Sequence, residues 1–121
     1  RQIVKELKGG HTIWLAPDQD LGPDRSVFAP FFGIPTATTG IASRLAKSTH
    51  CRVFFFSHQH TGKQGYRLRI TPLSNFPSGD DKQDASLINT HIEQAVRQHP
   101  EQYLWLHRRF KTRPEGSPGI Y

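Results

Sequence analysis

The chain has 121 residues, of which 35% are apolar, with no Met and a single Cys. That length suits one domain with a real core, and one Cys excludes an internal disulfide. The longest apolar runs are short, such as Val53 to Phe56. They fall far below the roughly 20 residues that span a bilayer, so no membrane-spanning helix is predicted within these residues. The N-terminus is polar and basic, unlike a signal peptide. Sixteen Lys and Arg against ten Asp and Glu give a net charge of +6. Such a field favours anionic partners without choosing among nucleic acid, phosphorylated lipid and an acidic protein. The local maximum is His107-Arg108-Arg109-Phe110-Lys111-Thr112-Arg113. A chain without Met that opens inside a predicted helix is expected to be a piece of a longer protein.

In chain order, Ile3 to Lys8 carries apolar residues at helical spacing, and Gly9-Gly10 suits a helix stop. Thr12 to Ala16 is a short apolar run predicted as a buried strand. Pro17 to Pro35 holds four Pro and two Gly and is predicted as one long loop. Thr38 or Thr39 is placed to cap a helix to about Thr49, with Ile41, Ala42, Leu45 and Ala46 on one face. Cys51 to Phe56 reads as a second buried strand. Gly62 to Gly65 turns the chain, and Tyr66 to Ile70 alternates with period two as a half-exposed strand does. After a polar loop from Leu73, Asp81 or Asp84 is expected to cap a helix to about His99, with Ala85, Ile88, Ile92, Ala95 and Val96 on one stripe. Pro100 interrupts, Glu101 to Leu106 is predicted helical, and residues 111–121 read as an extended tail. This order implies an α/β layer fold containing part of a mixed sheet.

Two carboxylates two apart, Asp18 and Asp20, with Gly22 after them, follow the first predicted strand. α/β proteins commonly place ligands at strand ends, where such groups bind a cation, orient a hydroxyl or hold an Arg. Asp, Pro and Gly also make ordinary turns. A calcium loop starting at Asp18 needs Glu at its twelfth position, and Ala29 stands there. His58-x-His60 lacks further ligands at zinc spacing. Cys51 begins an apolar strand and reads as a small buried hydrophobe. No nucleophile elbow, Walker loop or dinucleotide fingerprint occurs. Tyr103 to Lys111 interleaves aromatic and basic residues, a pattern that stacks on bases, rests at a membrane interface or anchors a terminal helix.

Two segments are more specific. Trp14-Leu15-Ala16-Pro17-Asp18-Gln19-Asp20-Leu21-Gly22-Pro23 is followed by Val27-Phe28-Ala29-Pro30-Phe31-Phe32-Gly33 and Thr36-Ala37-Thr38-Thr39-Gly40, and the chain closes on Pro100 to Gly116, PEQYLWLHRRFKTRPEG. Together they resemble the lipid A late acyltransferases, the lauroyl and myristoyl transferases of Gram-negative bacteria, over nearly the whole chain. The resemblance implies that residues 1–121 are the C-terminal part of a single acyltransferase domain, part of a glycerolipid-acyltransferase-like mixed sheet layered with helices. It implies acyl transfer from acyl carrier protein to a hydroxyl of a lipid A precursor at the cytoplasmic face of the inner membrane, with no cofactor and no nucleic-acid partner. The family's proposed base is a His with an acid five positions on. The residues at that spacing here are Ala16, Phe55, Lys63, Gly65, Val96, Leu104 and Thr112. None is acidic, so the dyad is expected upstream and this chain alone is expected to be inactive.

Within the matched part, Asp18 falls on a functionally important family Asp and is assigned to site architecture, with Asp20 and Gly22 completing its block. Arg108, Arg109, Lys111 and Arg113 match the family's basic string, placed to meet substrate phosphates, headgroups or the acidic carrier. The rival reading from composition alone is a small basic binding module for nucleic acid or anionic membrane, with affinity falling steeply with salt. A metal protein using the Asp and His residues is the weakest of the three.

Overall fold

The computed structural model describes residues 1–121. Helix α1 spans Gln2–Lys8 and ends at Gly9, as its apolar spacing and glycines indicate. The Thr12 to Ala16 run is not a strand. It is irregular chain, and its side chains cover an apolar cavity instead of joining a sheet.

The predicted loop from Pro17 to Pro35 is the largest correction. Its second half is strand β1, Ser26–Phe31, paired antiparallel with β2, Ile34–Thr39. The hairpin turns on Phe32 and Gly33, both at positive φ (50° and 74°). A two-residue turn with both φ positive matches the twist of antiparallel strands. Pro30 and Pro35 stand opposite each other in the register, so the prolines sit near the turn, where the ladder tolerates missing donors. The β-branched Thr36, Thr38 and Thr39 then run through buried β2.

Helix α2, Ile41–Thr49, follows. Thr39 accepts the Ile41 amide through its hydroxyl at 3.3 Å, but the residue at the cap position is Gly40. Strand β3, Phe54–His60, pairs antiparallel with β4, Tyr66–Pro72, across a 3₁₀ turn at Gly62–Gln64. β3 begins three residues later than expected and is not fully buried: Phe54 and Phe56 are exposed, while Phe55 packs inward. Helix α3, Asp81–Gln98, is capped by Asp80, whose carboxylate accepts the Lys82 and Gln83 amides at 2.8 and 2.9 Å. Asp84, one of the two expected caps, is buried instead. The predicted helix at 101–106 resolves into two 3₁₀ turns, Pro100–Gln102 and Trp105–His107.

The chain is therefore mixed α/β, with two separate antiparallel hairpins where a mixed sheet was expected. α3 crosses β1, and Phe31, Ile88, Ile92, Val96 and Phe110 form the core between them. Little else is deeply covered. The accessible surface is 8495 Å², against about 6,600 Å² for a typical compact protein of this mass. Part of the excess is the outer face of the β3–β4 hairpin, where Tyr66, Leu68 and Ile70 are all more than 60% exposed. No helix is long and apolar enough to cross a membrane.

Candidate functional site

A cavity of about 700 Å³ lies between α3, β3, α2 and the irregular segment 10–18. Its walls are mostly apolar: Leu15, Leu45, Val53, Phe55, Ile92 and Val96 are among them. Helix α3 supplies Ile88, Ile92 and Val96 because they repeat on one stripe, and that stripe is divided between core and cavity. Phe55 stacks on His91 of α3 at 5.1 Å between ring centroids, which fixes the distance from hairpin to helix. Asp18 is the only carboxylate on the lining, which also carries Arg52, Arg67 and Arg69. The volume is that of a small-molecule or lipid-chain site.

Asp18 is held from behind. The imidazole Nε2 of His107 donates to the Asp18 carbonyl at 3.0 Å, and the Tyr103 hydroxyl lies 3.3 Å from the same nitrogen. The terminal basic segment thus fixes the Asp18 loop across 89 residues of sequence. Burial pushes the Tyr103 phenol well above its usual range, with the Asp18 charge adding to the shift. Tyr103 therefore stays a neutral hydroxyl.

Asp20 faces away from the cavity and is buried. Its Oδ1 accepts the Gly22 amide at 3.0 Å and the Thr112 hydroxyl at 2.8 Å, while Oδ2 accepts the Thr112 amide at 2.8 Å. Gly22 adopts φ 86° and ψ 172°, a region essentially closed to residues with a Cβ. The Asp18–Gly22 block therefore works as a clasp: Asp18 borders the cavity, and Asp20 and Gly22 anchor the loop to residue 112.

The four clustered cations are divided by the backbone. Arg108 sits at φ 51°, and the chain reverses there so that Arg109 turns inward. Arg109 is 1% exposed, the largest fully buried side chain. Its Nη1 donates to the Ala37 carbonyl at 2.6 Å, and its Nη2 donates to Thr38 Oγ1 at 3.0 Å and Asn89 Oδ1 at 3.3 Å. Its Nε has no partner. No carboxylate lies within 4 Å. Burial lowers the Arg109 pKa, and the charges of Asp18 and Asp20 oppose that shift from a distance. Arg109 is placed to brace β2 against α3, and a substrate phosphate cannot reach it in this arrangement. Arg108 and Lys111 are exposed, with Arg108 lying 5.9 Å from the Tyr121 ring centroid. Arg113 donates to the Pro35 carbonyl at 2.7 Å. Tyr103 and Phe110 pack against or within the core, so the aromatic and basic residues of this string do not form one stacking surface.

Asn89 was not singled out from the sequence. It is fully buried and donates to the Pro30 carbonyl at 3.0 Å and Thr38 Oγ1 at 2.9 Å. The available signal was a polar residue set inside the apolar stripe of α3. Asp84 was read as a cap, but it accepts from the Ser43 hydroxyl and from the Ser78 amide at 2.8 Å. Burial would raise its pKa, and these hydrogen bonds outweigh burial and lower it.

Two His–carboxylate contacts exist, His11–Glu6 at 2.7 Å and His99–Glu101 at 3.4 Å. Neither has the spacing of the family's dyad, and the His11 and Glu101 side chains are each about two-thirds exposed. His58 and His60 stand on the exposed positions of β3 beside Tyr66. No group of three or more His, Cys, Asp or Glu side chains converges to hold a metal ion.

An irregular loop clasped beside an apolar cavity, with cations around it, is the kind of site that takes an amphiphile. Comparison with known proteins gives the class. Residues 1–112 match the family described as bacterial lipid A biosynthesis acyltransferase, and the chain belongs to that family. It is 43% identical, over 98% of its length, to the lipid A biosynthesis lauroyltransferase of Escherichia coli (strain K12). It is 44% identical over its whole length to the palmitoleoyltransferase of the same strain and 33% identical over 97% to its myristoyltransferase. The chain spans 40% of the first two relatives and 37% of the third.

Proposed function

We propose that this chain forms the lipid-binding part of an enzyme that moves a fatty acyl chain from acyl carrier protein to a hydroxyl of a lipid A precursor. The observation that carries the reading is the apolar cavity bordered by the Asp18 loop, together with family membership. In the reaction, a base outside residues 1–121 takes the acceptor hydroxyl proton. The hydroxyl oxygen bonds to the thioester carbon, the carbon–sulfur bond breaks, and the thiolate leaves to be protonated. The cavity holds the hydrocarbon of donor or acceptor, and the Asp18 loop sets its edge. The two hairpins contribute to a fold of the glycerolipid-acyltransferase kind together with chain outside residues 1–121, and the enzyme works at the cytoplasmic face of the inner membrane. Exposed Arg108 and Lys111 face the acidic carrier or lipid headgroups, while Arg109 and Asp20 hold the scaffold.

The test is a chimera in which this chain replaces the matching 122-residue stretch of the E. coli lauroyltransferase. Transfer of labelled laurate from lauroyl-acyl carrier protein to lipid A precursor is expected from the chimera, and none from the chain alone. A folded chimera that binds the carrier yet transfers nothing would overturn the proposal.

A further inference from the structure

The cavity's charge is uneven in a way that its apolar walls do not explain. Cross-strand pairing places Ser57 opposite Arg69 and Gln59 opposite Arg67. With the alternation of side chains along a strand, these four share the face that carries Phe55, which is the face turned to α3. Arg67 and Arg69 are two residues apart, so the strand holds two like charges side by side on the face toward the cavity, where both stay open to solvent. Arg52 joins them on the lining. None of the three has a carboxylate within 4 Å, and none donates a hydrogen bond to the chain, although Arg97, Arg109 and Arg113 all do. Three solvent-exposed arginines thus share the cavity lining with one carboxylate, Asp18. Neighbouring like charges without partners repel, and a shared dianion removes that repulsion while accepting their hydrogen bonds in bidentate geometry.

We propose that Arg67 and Arg69, assisted by Arg52, form an anion subsite at the cavity. The subsite takes the phosphoryl group of an acyl lipid whose hydrocarbon enters between α3 and β3. It rests on the reading of the cavity as a lipid-chain site, and it names which residues select the headgroup. The occupant is a phosphorylated amphiphile, because phosphate alone leaves the apolar walls empty and an uncharged lipid leaves the cations unpaired.

The probes are 1-lauroyl lysophosphatidate, 1-monolaurin, which lacks only its phosphoryl group, and inorganic phosphate. Each is titrated into the 121-residue chain below its micelle-forming concentration. Trp14 lines the cavity and reports binding by fluorescence. Lysophosphatidate is expected to bind at least about tenfold tighter than monolaurin. In Arg67→Gln/Arg69→Gln that preference falls below about threefold while monolaurin affinity is kept, and Arg67→Lys/Arg69→Lys retains most of it. Circular dichroism of each variant establishes that it is folded. Equal binding of the two lipids by the unaltered chain, a preference that survives the Gln variant, or inorganic phosphate binding as tightly as lysophosphatidate each overturns the subsite and leaves the lipid-chain cavity standing. Failure of both lipids to bind overturns the cavity reading with it.

Discussion

Replacing Arg109 with Met separates a brace from a substrate contact. The guanidinium makes three hydrogen bonds inside the protein and pairs with no carboxylate. Thr38 and Asn89 keep a bond to each other when it is lost, at 2.9 Å, so the Ala37 carbonyl is the acceptor left most exposed to the change. A hydrogen bond to a charged group contributes about 1.5–3 kcal/mol, and with Thr38 and Asn89 still paired the loss is that of the Ala37 bond, roughly 3 kcal/mol. The void beside Phe31, whose ring centroid is 5.4 Å from the guanidinium carbon, adds about 1 kcal/mol. Relief of the buried charge returns about 2 kcal/mol, the low end of the several kcal/mol that burying an ion costs. The expected loss for Arg109→Met is about 2 kcal/mol, read by urea unfolding, with Tm lower by roughly 6–10 °C. Arg108→Met and Lys111→Met are expected within about 0.5 kcal/mol of the unaltered chain. An Arg109→Met chain as stable as the original would refute the brace.

The remaining expectations concern the clasp and the buried carboxylate. Asp20→Ala removes three hydrogen bonds to Gly22 and Thr112 and is expected to cost about 2–4 kcal/mol. The Thr112 amide should exchange its hydrogen faster, and protection as in the original chain would contradict the assignment. Gly22→Ala forces a Cβ into φ 86° and is expected to lose about 1–3 kcal/mol in thermal unfolding, with an unchanged Tm ruling that out. For Asp84, the folded pKa lies below the usual 3.8. Its stabilisation is therefore present above that value and is lost as pH falls through the folded pKa. Ser43→Ala removes one of the lowering hydrogen bonds, so the acid-unfolding midpoint should move to higher pH, and a midpoint that stays put would count against it.

How far the sequence could be read depended on whether periodicity or long-range contact decided an element. α2, α3 and the β3–β4 hairpin follow from local patterns, a 3.6-residue stripe and alternation flanking Gly62 to Gly65, although the α3 cap is Asp80 and neither Asp81 nor Asp84. The β1–β2 hairpin was hidden because Pro30 and Pro35 signal a loop, and only their facing positions near a Phe32-Gly33 turn make them compatible with a ladder. Trp14 and Leu15 read as a strand because they are apolar, but they line the cavity, with Trp14 largely exposed, and join no sheet. The Asp18–Gly22 block was legible as a site feature. That Asp18 borders the cavity while Asp20 locks onto Thr112 was not, since that partner lies 92 residues away. In the Arg108-Arg109 pair, nothing local says which guanidinium is buried. The left-handed conformation at Arg108 and the acceptors on β2 and α3 decide it.

At the centre of the proposed function, the cavity between α3 and β3 receives an acyl chain. A laurate analogue bearing a diazirine at its far end, irradiated with the 121-residue chain and mapped by peptide mass spectrometry, tests it directly. Adducts are expected on cavity-wall residues such as Leu45, Val53, Phe55 and Ile92, competed by unlabelled lysophosphatidate. Adducts confined to Tyr66, Leu68 and Ile70 on the outer face of the hairpin would contradict it.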